Sequence, residues 1–377
     1  MNYSVIIAEL NPPTFGHQYL INKTKEMFPA DGIIVLTSGN YVQRGEPSII
    51  NKHTKAQIAL NMGVDAVIEL PLIFSLSSAQ DFSFGAIKCV SGLNNVVRIV
   101  FGSECGDINL LKEKASVEPN TTEIKTLLKE GKSVATSLIA GDEILSKPNN
   151  LLGVEYLRAI NKLNLNIDVV TIKRTNEYND LEVSDTPSAS AIRNEIYNIG
   201  YEKASRLIPF GNIIDPLTPI PNKDLLYSLI CFKVITCGNE LKNTNGVTEG
   251  LDQRIISTIK TSSTFDDLVE KVSTKRYPKN KIKRILLNFL FCINKPLVSE
   301  IKQDVPYLKL IGVNALNKSQ ILRDLSESKI KIITKHKDTE KLSNLGKTLE
   351  HLDEVSDLIY SQLTTKDLSA SSYSKKI

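Results

Sequence analysis

Hydrophobic residues in the first half of the chain fall into short continuous runs separated by longer amphipathic stretches. Val5-Ile6-Ile7-Ala8 is the first run, Ile33-Ile34-Val35-Leu36 the second and Ala66-Val67-Ile68-Glu69-Leu70 the third, with Pro71 as its stop. Two more occupy 96–101 and 167–172. Runs of four to six residues, rich in Val and Ile, predict strands buried on both faces. Between them apolar residues recur at helical spacing over 17–27, 52–62, 79–93 and 151–163, and another helix starts at 188 and reaches 197. Strands alternating with helices predict an open parallel sheet with right-handed crossovers. The stretch 106–148 reads as a mainly helical excursion from that sheet.

The texture changes near residue 215. Asp215-Pro216-Leu217-Thr218-Pro219-Ile220-Pro221 reads as a linker. After it, helical spacing dominates over 225–236, 252–261, 265–272 and 280–292, while 305–313 reads as a short strand returning to the first domain. Residues 366–377 are polar and read as a frayed end. The expectation is an α/β domain over 1–215 and a mainly helical domain over 216–377. A length of 377 residues suits two domains.

Composition changes this picture little. Hydrophobic residues make up 41% and charged residues 23%, and the formal net charge of +4 does not by itself point to nucleic acid. The five cysteines, Cys89, Cys105, Cys231, Cys237 and Cys292, show no CxxC spacing, so neither a disulfide framework nor structural zinc is expected. His53, His336 and His351 share no ligand spacing, and no protein-held metal is expected. With no visible signal peptide and no apolar run long enough for a bilayer, a cytoplasmic protein without membrane attachment is expected.

The densest chemistry follows the first strand. In Asn11-Pro12-Pro13-Thr14-Phe15-Gly16-His17 the glycine admits a ligand close to the backbone, and the next helix start offers free N–H groups to phosphate. Thr14 and His17 are the candidate catalytic pair, each able to donate to a phosphate oxygen. An isolated glycine–histidine pair would equally serve as a turn and a helix cap. This turn, however, resembles the TxGH version of the HxGH signature of the nucleotidylyltransferase superfamily. Downstream, Thr186-Pro187-Ser188-Ala189-Ser190-Ala191-Ile192-Arg193 opens a helix and resembles that superfamily's SSTxIR-type motif. Ser188, Ser190 and Arg193 at a helix start suit a triphosphate clamp.

Longer strings narrow the resemblance. Ser38-Gly39-Asn40-Tyr41-Val42-Gln43-Arg44-Gly45-Glu46-Pro47, Val64-Asp65-Ala66-Val67-Ile68-Glu69-Leu70-Pro71, Phe101-Gly102-Ser103-Glu104, Pro148-Asn149-Asn150-Leu151-Leu152-Gly153 and Ile172-Lys173-Arg174-Thr175 look like the bacterial tRNA(Met) cytidine acetate ligase family. So do Glu249-Gly250-Leu251, Thr274-Lys275-Arg276-Tyr277 and Tyr307-x-x-Leu310-x-Gly312. The resemblance implies an open parallel-sheet, nucleotidylyltransferase-like (HUP-type) α/β domain followed by helices. It implies that acetate attacks the α-phosphate of ATP and that the acetyl group then passes to N4 of the wobble cytidine of elongator tRNA(Met), without acetyl-CoA.

Carried over by residue, the resemblance places ATP on Ile7, Ala8, Glu9, Leu10, Asn11, Pro12, Pro13, Thr14, Phe15, Gly16, His17, Gln18, Tyr19 and Leu20, with Gly102, Asn149 and Arg174. Position 14 is Thr where some members have His. In physical terms, a side chain at 102 would crowd the nucleotide, Asn149 offers amide hydrogen bonds, and Arg174 suits phosphate contact or stacking on adenine. Arg44 faces either the cleft or solvent. Asp65 and Glu69, four apart on one strand, read as orienting neighbours rather than as a catalytic pair. Mg²⁺ is expected to arrive with ATP, held by phosphates and water.

Lys271, Lys275, Arg276, Lys279, Lys281, Lys283 and Arg284 form a basic stripe with no intervening acid, and Tyr277 lies within it. A solvated helix face and an RNA surface are both compatible with it. Beside the family resemblance it reads as tRNA-binding through Arg254, Lys275, Arg276, Tyr277, Lys281 and Arg284, flanking the ATP cleft. Two other functions remain open: a nucleotidylyltransferase that adenylylates a small phosphorylated acceptor, and a non-catalytic tRNA-binding protein. No protein partner is implied.

Overall fold

The computed structural model describes residues 1–117, 142–174, 187–248 and 250–365. Thr175, Thr186, Glu249, most of the expected helical excursion and the expected frayed end lie outside the described residues.

Nine strands are present among the described residues: β1 (Tyr3–Ile7), β2 (Gly32–Ser38), β3 (Tyr41–Val42), β4 (Glu46–Pro47), β5 (Ala66–Leu70), β6 (Val96–Ser103), β7 (Asp168–Lys173), β8 (Tyr307–Val313) and β9 (Lys331–Ile333). Seven of them form one sheet in the order β7-β6-β1-β2-β5-β8-β9, and β3 and β4 make a small separate hairpin. The first five of that order run parallel, as alternating strands and helices require, and β8 then pairs antiparallel to β5. The expected return of the chain to the sheet is therefore made by β8. β9 extends the sheet, and its three residues gave too short a pattern to be read.

The expected helices form with ends shifted by a few residues. They are α1 (Phe15–Met27), α2 (Lys52–Asn61), α4 (Ala79–Ser91), α5 (Ile108–Ser116), α6 (Glu143–Ser146), α7 (Pro148–Lys162) and α8 (Ala189–Ala204), with the short α3 (Leu72–Ser75) unexpected between α2 and α4, and α8 kinks at Gly200. Later in the chain come α9 (Lys223–Cys237), α10 (Leu251–Thr258), α11 (Phe265–Val272), α12 (Lys279–Leu290), α13 (Lys295–Gln303), α14 (Lys318–Ser326) and α15 (Asn344–Leu363).

The strand runs are continuous because both faces are covered. Val5 and Ile7 of β1 join one core with Ile34, Leu36, Ile68, Ile99 and Phe101, under α4, α7 and the later helices. Ile6 joins the other core with Ile33, Val35, Val67 and Val100, under α1, α2 and α8. Alternation by two thus separates two apolar cores rather than core from solvent.

Polar groups tie the last helix to this frame. Asp353 of α15 accepts from Tyr307 and pairs with Lys309, at 2.6 and 2.9 Å. Asp357 pairs with buried Lys52, which also holds Glu69. Asp65 accepts the Ile33 N–H at 2.8 Å. Asp65, just before β5, and Glu69 within it therefore orient neighbours, as expected. All five cysteines lie outside disulfides. Among the described residues no helix is long and apolar enough to cross a membrane.

Candidate active site

The chain leaves β1 toward β2 and β5, then returns to place β6 on the other side of β1. Ligands in open α/β sheets bind beyond the carboxyl ends of strands at such a reversal. The principal cleft lies there, lined by Ile7 to Asn11 after β1, by Phe101 and Gly102 of β6, and by Ile172 to Arg174 at the end of β7. Thr14, Gly16, His17, Tyr19 and Leu20 of the turn and α1 join them, with Asn149 of α7 and Ser188, Ser190 and Arg193 at the start of α8. Five segments distant in sequence thus meet around one opening. Of the carried-over nucleotide residues, Pro12, Pro13, Phe15 and Gln18 do not line it.

Thr14 and His17 form a capping box at α1. Thr14 Oγ1 accepts the His17 N–H at 3.3 Å, and the Thr14 N–H donates to His17 Nδ1 at 3.0 Å. The helix-cap reading of this turn therefore holds, and the same cap fixes the ring at the cleft. Desolvation in the cleft wall, then the positive charge of Arg174, push the His17 imidazole down to about 3. The ring is neutral near pH 7. Because Nδ1 accepts, Nε2 carries the proton and can donate to a phosphate oxygen.

At α8, Ser188 caps the helix by accepting the Ala191 N–H at 3.1 Å. Arg193 donates to the Asn11 carbonyl at 2.6 Å and to Ser190 Oγ at 3.1 Å. These bonds lock the SSTxIR-like segment to the turn after β1. Asn11 Oδ1 accepts the Ile49 N–H at 2.8 Å, while its Nδ2 is buried without a protein partner. Arg174 Nε is likewise a buried donor without one. Two unsatisfied donors in one cleft wall suit a ligand rich in acceptor oxygens, as a nucleotide triphosphate is.

Glu9 is the one carboxylate among the described lining residues. Its Oε1 accepts the Gln43 N–H at 2.5 Å. Burial raises its pKa, against opposing pulls from Gln43, Arg44, Lys55 and Arg193. Arg44 lines the cleft, which settles its placement. Gly102 lies within β6 rather than after it, and a Cβ there would come within 3.3 Å of Arg174 Cγ. Phe82, Leu152 and Tyr156 also line the cleft, as do Gln43 and Lys173. Sequence reasoning assigned none of these to the site, and Phe82 and Tyr156 carry no local motif that marks them.

The basic stripe divides on folding. Lys271 pairs with Asp267, and Lys279 pairs with Glu270, so acids just before the stripe neutralise part of it. Lys283 pairs with Glu46 at 3.5 Å. Arg284 donates to the Gln43 carbonyl at 2.9 Å, beside the cleft, and burial lowers its pKa to about 10. Arg254 donates to the Lys271 carbonyl at 2.9 Å. Lys275 and Arg276 are exposed, and Arg276 and Lys281 lie over the Tyr277 ring at 5.5 and 5.0 Å. Away from the cleft lining, His336, Glu350 and Glu354 bring ligand-type atoms within 4.8 Å of one another.

A family model described as HIGH Nucleotidyl Transferase matches residues 1–376. Among curated proteins, the tRNA(Met) cytidine acetate ligase of Clostridium perfringens is 34% identical over 89% of this chain and 90% of its own length. The protein of the same name from Clostridium acetobutylicum is 36% identical over 89% and 90%. The crystal structure of Thermotoga maritima TmcAL bound with α-thio ATP superposes with a TM-score of 0.84 at 28% identity, covering 97% of this chain and 95% of that one. Its apo form gives 0.87. A strand–turn–helix cleft built around Thr14, His17 and Arg193 and relatives alike over nine-tenths of their length lead to one assignment: the chain belongs to the tRNA(Met) cytidine acetate ligase family of HIGH nucleotidyl transferases.

Proposed function

We propose that this protein activates acetate with ATP and transfers the acetyl group to N4 of the wobble cytidine of elongator tRNA(Met). The observation that carries the reading is the pair of partnerless donors, Asn11 Nδ2 and Arg174 Nε, on residues that line one cleft with the neutral ring of His17. The names of the relatives supply tRNA(Met), cytidine and acetate, and the α-thio ATP of the Thermotoga maritima structure supplies the nucleotide.

In the first step an acetate oxygen attacks the α-phosphorus, the bond to the β-phosphate oxygen breaks, and pyrophosphate leaves. Thr14, His17 and the start of α1 oppose the charge that builds on the phosphate. Ser188, Ser190 and Arg193 hold the outer phosphates. In the second step the cytidine N4 attacks the acetyl carbonyl carbon, the bond to AMP breaks, and N4 loses a proton. Mg²⁺ enters with the triphosphate, held by phosphates and water, since Glu9 alone among the described lining residues offers a carboxylate. The helices after residue 215 provide the tRNA surface, through Arg254, Lys275, Arg276, Tyr277, Lys281 and Arg284. The wobble base has to leave its stack to reach the cleft. The expected compartment is the cytoplasm, with its tRNA.

The test is one incubation with ATP, labelled acetate and elongator tRNA(Met), without acetyl-CoA. ATP-dependent label on the wobble cytidine is the expected result. Bound ATP with neither acetyl-adenylate nor transfer would redirect the reading to adenylylation of a small phosphorylated acceptor.

A further inference from the structure

Two strings far apart in sequence fold into one reciprocal clamp. Glu104, after β6, accepts the Asn149 N–H at 3.2 Å and the Asn150 N–H at 2.8 Å, capping α7 from a distance. Its Oε1 also accepts from Asn149 Nδ2 at 2.7 Å. In return, Asn150 Oδ1 accepts the N–H groups of Glu104 and Cys105 at 3.0 and 3.1 Å, and its Nδ2 donates to the Ile144 carbonyl at 3.1 Å. Asn150 is 1% exposed and outside the cleft lining, whereas Asn149 lines the cleft. Lys147, the residue before α7, supplies no side-chain cap, so Glu104 takes that place.

The consequence is chemical. A carboxylate oxygen only accepts, so the Asn149 amide has one possible orientation, with its nitrogen on Glu104. What remains for a ligand is the carbonyl oxygen and the second N–H, an acceptor and a donor on one amide. That pair matches an adenine edge, with its N6–H donor and N7 acceptor, whereas guanine presents two acceptors, O6 and N7. We propose that Glu104, held by Asn150, is a positioning residue that fixes the Asn149 amide to select the adenine ring of the nucleotide. This rests on the ATP site of the proposed function.

The test measures nucleotide binding to the full chain by calorimetry, with ATP and GTP as separate probes and thermal unfolding recorded for each variant. Glu104→Ala releases the amide and is expected to weaken ATP about tenfold, the worth of one good hydrogen bond, while GTP changes little, so the preference narrows. Glu104→Gln keeps an acceptor for Asn149 Nδ2 and is expected to recover part of the ATP affinity. Unchanged ATP affinity in Glu104→Ala, or equal weakening of both nucleotides, would overturn the proposal and leave the clamp a helix cap. Wild-type protein that binds no ATP would instead sink the ATP site itself, so the two failures read differently.

Discussion

The Thr14 N–H donates to His17 Nδ1, and the remaining ring proton sits on Nε2. Burial keeps that ring from charging, with the folded pKa at about 3 against 6.5 for a free histidine. Between those values the unfolded chain binds a proton that the folded chain does not. The contribution of His17 to stability is therefore present above about pH 6.5 and declines as pH falls toward 3. NMR of the ring nitrogens should show His17 neutral down to pH 4, and a ring that titrates near 6.5 would contradict the cap geometry. His17→Ala is expected to lower acetyl-adenylate formation by about 10² or more, the usual scale for losing a charge-stabilising donor, and to leave tRNA affinity nearly unchanged. Product assays and filter binding on the same preparation check both halves. The turn and the α8 start were legible because each is a compact string. Phe82 and Tyr156 were not, since their place in the cleft depends on how α4 and α7 pack over β6.

Among elements, the hairpin β3–β4 was the least legible, with two residues in each strand. Gly45 at its turn has φ +76, and a Cβ there would lie 2.5 Å from the backbone nitrogen of Arg284. The glycine is visible in the sequence, but only the fold reveals that α12 packs against it. The basic stripe behaves in a related way. A run without acids looks uniformly cationic in sequence, yet Asp267 and Glu270 of α11 reach Lys271 and Lys279 in space. Lys275 and Arg276, in the link between α11 and α12, stay exposed. Reversing both to Glu is expected to weaken tRNA binding and to flatten its dependence on salt, by a slope change of about one for each phosphate left without its cation. Titrations across a salt series measure this, and unchanged affinity would return the stripe to a solvated face. Longer elements were read from periodicity, although β9 and α13 to α15 went unread.

Across the whole molecule, the sheet reveals what the division at 215 left open. The first half of the chain supplies five parallel strands, while β8 and β9 come from beyond 300. α15 is fastened to the same frame by Asp353 and Asp357, and Tyr360 donates to the Ser48 carbonyl at 2.9 Å. A division into a nucleotide-binding part and a tRNA-binding part is thus a proposal about roles, laid over one continuous sheet.

The antiparallel seat of β8 on β5 has a further consequence for the nascent chain. Until residues 307–313 emerge, Ala66, Val67, Ile68 and Glu69 present an apolar strand with a bare ladder, the kind of edge onto which a second molecule can add. A protein ending at 215 is expected to self-associate through that edge, and light scattering would reveal it. A monodisperse monomer would show that the edge is covered by something other than β8. On this expectation β8, made late in synthesis, guards the enzyme against sticking to its own copies.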